Sequence, residues 1–63
     1  MKVTFCRSAL ASENGRLYKS QLMSVEYPDD YLQFAAIADA IRTFEGHMKV
    51  EAWQELAEFY EIS

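Results

Sequence analysis

The stretch that most constrains this chain runs from Tyr27 to Phe44, YPDDYLQFAAIADAIRTF, because it holds a start signal, a helical apolar period and, just beyond, a stop. Pro28 biases the residue before it toward extended backbone, so a helix is predicted to start after Tyr27. Asp29 can accept backbone N–H groups at that start, and Asp30 complements the positive end of the helix dipole. Phe34, Ile37, Ile41 and Phe44 then recur at spacings of three, four and three, which places them on one helical face. Ala35, Ala36, Ala38 and Ala40 raise helix propensity and leave a thin flank that a second helix can approach closely. Gly46 reads as the stop, since glycine takes the left-handed conformation after a helix at least cost.

Before this stretch, MKVTFCRS alternates around Val3, Phe5 and Arg7, which predicts a short strand. Ser12-Glu13-Asn14-Gly15 contains an Asn-Gly pair suited to a tight hairpin turn, and Arg16 to Tyr27 returns as a second extended run. Leu17, Met23 and Val25 fall on one face of that run and Tyr18 and Leu22 on the other, so its register is weakly specified. The competing reading caps a helix at Ser8 and continues it to about Ser24, with Leu10, Leu17, Tyr18, Leu22 and Val25 turned inward. That helix would hold Gly15 in its interior at a cost of about 1 kcal/mol relative to alanine, with Asn14 adding to the penalty, which favours the hairpin.

After Gly46 the chain reads HMKVEAWQELAEFYEIS, where Ala52, Leu56, Phe59 and Ile62 recur at helical spacing with Trp53 and Tyr60 alongside. This predicts a second helix. The short link Glu45-Gly46-His47 would fold the two helices into a helical hairpin, an antiparallel or sharply angled pair. No Ser, Thr, Asp or Asn is placed to cap the second start, so its first turn would depend on packing of Met48 and Val50. The expected architecture is one domain over residues 1–63, of class α+β: an N-terminal β-hairpin followed by two packed α-helices, with an all-α three-helix bundle as the alternative.

The charge balance sorts possible partners. Ten acidic residues against six Lys and Arg give a net charge of −4, which disfavours binding to a nucleic-acid backbone. No apolar run approaches the length of a membrane span, the N-terminus lacks the apolar core of a signal peptide, and one thiol suits a reducing compartment; the expected location is cytoplasmic. Cys6 lacks a partner for an intrachain disulfide, and Cys6 with His47 cannot complete a structural zinc site, so no metal or cofactor is expected. A small core without such staples points to self-association. Four Phe, four Tyr and one Trp are many large rings for that core, and they suggest a homodimer.

Candidate sites weigh toward binding. A small hydrolase or nuclease would use His47 with a carboxylate, but a histidine beside a helix C-terminus more simply meets the last carbonyls and the dipole. Cys6 as a nucleophile needs a base and a lowered pKa, and sequence supplies neither. Asp29 and Asp30 read as cap and dipole partner before they read as an acid–base pair. Glu51, Glu55, Glu58 and Glu61, at spacings of four, three and three, line one face of the predicted second helix as an acidic stripe. That stripe is either a solvated face or a dock for a basic surface. Trp53, Phe59 and Tyr60 span more than half a turn, so one side is left over for an interface. The expectation is a non-enzymatic protein–protein interaction module, with Trp53, Phe59 and Tyr60 supplying affinity and Glu51, Glu55 and Glu58 supplying steering toward a host or phage protein with a basic surface.

The start MKVTFCRS, the block YPDDYLQFAAIADAIRTFEG and the ending AWQELAEFYEIS resemble the small early open-reading-frame proteins encoded between the exonuclease and excisionase genes of lambdoid bacteriophages. The resemblance spans the whole chain and rests on general likeness and length, without a diagnostic motif. It implies a protein made early in infection, in the host cytoplasm, that influences the choice between lysis and lysogeny or the host cell cycle. It brings no catalytic residues with it.

Overall fold

A computed structural model describes residues 1–10 and 15–63. Strand β1 (Lys2–Leu10) and strand β2 (Leu17–Glu26) are followed by helix α1 (Gln33–Met48), a single 3₁₀ turn (Trp53–Glu55) and strand β3 (Phe59–Ile62). The strands form one antiparallel sheet in the order β2-β1-β3. The central place falls to β1, whose Val3, Thr4, Phe5 and Cys6 are all buried. Because side chains alternate along a strand, Val3 and Phe5 face α1 while Thr4 and Cys6 face away from it.

The first two strands pair from Lys2 opposite Glu26 to Leu10 opposite Leu17, with one irregularity. Phe5 lies opposite Met23 and Cys6 opposite Gln21, so Leu22 is an extra residue in β2, a β-bulge. The bulge shifts the alternation. Met23 and Val25 share the α1 side with Phe5 and Val3, whereas Leu17, opposite Leu10, lies on the other side, so Leu17 does not share a face with Met23 and Val25 as the sequence suggested. Gly15 takes φ +67, a left-handed value that suits glycine ahead of β2; Ser12, Glu13 and Asn14 of the expected turn lie outside the described residues.

Helix α1 exists, but both ends differ from the sequence reading. Pro28 to Tyr31 form a turn closed by the Tyr31 N–H donating to the Pro28 carbonyl (3.0 Å), and the helix starts only at Gln33, with Leu32 at the cap and no side-chain cap bond. Asp29 instead accepts from the N-terminal ammonium at 2.9 Å. Gly46 lies inside the helix; the stop is Lys49, at φ 58, with its N–H and that of Val50 donating to the Glu45 carbonyl. The buried line is Ala36, Ala40 and Phe44. The alanines let the helix settle on the sheet, where the Phe44 ring stacks on Phe5 at 4.4 Å. At 3.6 residues per turn Phe34 points about 120° away from that line, and it is 74% exposed.

The expected second helix is absent, and with it both the two packed helices and the three-helix bundle. Backbone hydrogen bonding explains the difference. A helix in this segment would leave the far edge of buried β1 without partners, a cost that β3 removes. The Lys2 and Ser63 backbones exchange bonds of 2.7 and 2.9 Å, and the Glu58 N–H donates to the Cys6 carbonyl at 2.8 Å. Strand alternation then sends Tyr60 and Ile62 inward, opposite Phe5 and Val3, and turns Phe59 and Glu61 outward. The helical spacing of Ala52, Leu56 and Phe59 is coincidental. Val3, Phe5, Ala40, Phe44 and Ala57 form the core, with Trp53, Leu56, Tyr60 and Ile62 packed against it.

Candidate interaction surfaces

The four glutamates do not form a stripe, because the segment that carries them is not helical. Glu55 reaches back to the start of the 3₁₀ turn, where its Oε2 accepts the backbone N–H groups of Glu51 and Ala52, each at 2.9 Å. Glu58 lies just before β3 and accepts the Ser8 N–H, ending the β1–β3 ladder with a carboxylate where the next rung would fall. Glu61 pairs with Lys19 at 2.8 Å; since one residue is on β3 and the other on β2, the pair spans β1. Glu51 is exposed. Three of the four acids therefore hold local structure.

The aromatics are also divided. Trp53 and Tyr60 meet edge to face at 5.7 Å, and both rings lie against Phe5, at 5.8 and 6.2 Å. They are half-buried parts of the α1 side of the sheet. Phe59, opposite Cys6, is half-buried on the other side. No single edge presents Trp53, Phe59 and Tyr60 together.

His47 is exposed in the last turn of α1, and no carboxylate pairs with it among the described residues. Cys6 is fully buried; its burial, with the charge of Glu61, pushes the thiol pKa up, although Lys19 opposes that, and a raised pKa runs against nucleophilic use. Its Sγ donates to the Thr4 carbonyl at 3.7 Å, and the hydroxyls of Thr4 and Ser24 are 2.9 Å apart, so this side of the sheet is internally satisfied. Tyr27 donates its hydroxyl to Asp39 at 2.7 Å. Burial, then that bond, pushes its phenol up to about 12. No group of acidic, histidine or cysteine side chains that could hold a metal ion is present among the described residues, and no described helix is long and apolar enough to cross a membrane.

Two apolar patches remain that sequence reasoning did not single out. At the far end of the strand pair, Leu10 and Leu17 face each other on the side away from α1 and are 64% and 73% exposed, and Tyr18 is exposed on the α1 side at the same end. At the other end, Tyr31, Leu32 and Phe34 are exposed around the start of α1, where the Tyr31 ring lies 5.2 Å from Tyr27. The signal for the first patch was present in β2, whose apolar residues fall on both faces; only a bulge reconciles that pattern with one core. No family model matches the chain, and neither does a curated protein or a solved structure.

Proposed function

We propose that this protein is a non-enzymatic protein–protein interaction module that works through its two exposed apolar patches. The observation that carries this reading is the exposure of six large apolar side chains, Leu10, Leu17, Tyr18, Tyr31, Leu32 and Phe34, gathered at two places on a chain with few large side chains in its core. Contiguous exposed apolar surface on a small domain marks a binding site, because leaving it in water forgoes stabilisation that a partner supplies. The net charge of −4 favours a partner with a basic surface and adds steering at low ionic strength. The resemblance to early proteins of lambdoid phages supports a regulatory outcome, in which a host or phage protein is bound and lytic or lysogenic development shifts.

The test uses two surface variants, Leu10→Ser with Leu17→Ser and Leu32→Ser with Phe34→Ser, each checked for an unchanged fold by circular dichroism. A partner recovered with the wild-type chain, then purified, should bind wild type in titration and lose at least about tenfold in affinity with one of the variants. Equal affinity for wild type and both variants would remove the patches from function.

A further inference from the structure

Strand β2 lies at the edge of the sheet, and among the described residues nothing is bonded to its outer side. Which of its backbone groups face outward follows from the β1 ladder. The Met1 and Tyr27 backbones bond each other, while Lys2 and Cys6 bond toward β3 and the Ser63 and Glu58 backbones. Alternation along an antiparallel pair then directs Val25, Met23, Ser20 and Tyr18 toward β1 and leaves the N–H and C=O groups of Lys19, Gln21, Ser24 and Glu26 pointing away from the sheet. The bulge at Leu22 makes the outward set change from odd to even numbers midway along the strand.

We infer that β2 is a self-complementary edge that joins two copies of this chain into a continuous six-stranded sheet, the second copy being the occupant of this edge and of the exposed rings beside it, Tyr18 and Tyr31. This deepens the interaction reading above and rests on it. In the antiparallel register that sets Lys19 opposite Glu26 of the second copy, Ser20 meets Val25, Gln21 meets Ser24 and Leu22 meets Met23. Three conditions hold together. Every outward-pointing residue meets an outward-pointing residue, so ladder bonds form on both sides of the two-fold axis. Every residue meets one on its own side of the sheet, which holds only because the bulge changes the parity in both strands at the centre. The terminal rungs pair Lys19 with Glu26 twice, opposite charges facing across the new edge.

The same register brings Tyr18 to the patch at the start of the second copy's α1. Tyr18 and Tyr27 are nine residues apart, about 30 Å along the strand at 3.3 Å per residue, so within one chain the patches cannot meet. Across the two-fold axis Tyr18 of one copy lies opposite Tyr27 of the other, both on the α1 side of the joined sheet, and the Tyr27 ring already touches Tyr31. Both helices lie on the same side of the joined sheet, since the axis is perpendicular to it.

Sedimentation equilibrium of the full chain over a wide concentration range, with Gln21→Pro, Glu26→Lys and Phe34→Ala, tests this. The Gln21→Pro change removes an outward N–H that β1 does not use, and Glu26→Lys, a surface change that spares the core, sets Lys19 against a lysine twice. The expected result is a wild-type dimer that Gln21→Pro and Glu26→Lys each weaken at least tenfold and Phe34→Ala several-fold, with circular dichroism unchanged for Glu26→Lys. A wild-type monomer at high micromolar concentration, or a dimer indifferent to Glu26→Lys and Phe34→Ala, overturns the inference. A monomer that still binds another protein through the patches overturns the dimer alone and leaves the interaction module standing.

Discussion

Where α1 stops decides what the last quarter of the chain becomes, and two substitutions report it by sign. Gly46 lies in the helix interior, it is exposed, and a Cβ added there meets nothing within 4 Å. Replacing it with alanine therefore gains the helix-propensity difference of about 1 kcal/mol without a clash. Lys49 is the residue that takes the left-handed conformation, at φ 58. Such a residue costs roughly 1–2 kcal/mol over glycine in backbone strain, and glycine's larger unfolded-state entropy returns part of that, so Lys49→Gly should gain about 0.5–1 kcal/mol. In a domain of this size 1 kcal/mol moves Tm by about 4–8 °C. Thermal unfolding followed by circular dichroism should thus show Gly46→Ala rising by about 4–8 °C and Lys49→Gly rising by a little less. If Gly46 were the left-handed stop, alanine would instead strain it and Tm would fall by a similar amount. A fall for Gly46→Ala would refute the helix end described above and, with it, the path into β3.

Two further outcomes follow from the core and from Tyr27. Phe44 is fully buried and stacked on Phe5, so Phe44→Ala should cost about 3–5 kcal/mol, comparable to the whole stability of a 63-residue chain at roughly 0.05–0.15 kcal/mol per residue; urea titration should find it largely unfolded without denaturant. The Tyr27 phenol, held at about 12 against an ordinary value near 10, favours the neutral form in the fold. Its contribution is complete below about pH 10 and is lost as pH rises toward 12; Tyr27→Phe should flatten that alkaline loss in a series of denaturant titrations and cost about 1 kcal/mol at neutral pH through the missing bond to Asp39.

The parts legible in the sequence were those fixed locally. Alternation in MKVTFCRS and the apolar period through Phe44 mark a strand and a helix, because each pattern recurs within a few residues. The ends of α1 were not legible: Asp29 turned to the N-terminal ammonium 28 residues earlier, and a lysine took the left-handed position that glycine prefers. The final segment was ambiguous by itself, since FYEI alternates as well as it fits a helix, and the unpaired edge of β1 at the opposite end of the chain decides for the strand. Glu55, Glu58 and Glu61 looked like one surface only while they were placed on a helix; as strand and turn residues they bond Glu51 and Ala52, Ser8 and Lys19. The bulge at Leu22, on which the shape of the β2 edge depends, left its trace as apolar residues on both faces and could be placed only once the pairing partner was known.

The most direct measurement is native-state amide hydrogen exchange at Lys19, Gln21, Ser24 and Glu26, compared between dilute and concentrated protein. Their N–H groups point away from β1, so in a single chain they face water, whereas in the edge-to-edge dimer each one is a ladder bond. Exchange at these four amides should slow by at least about tenfold in the concentrated sample. Equal, rapid exchange of the four at both concentrations would contradict the assembly through β2.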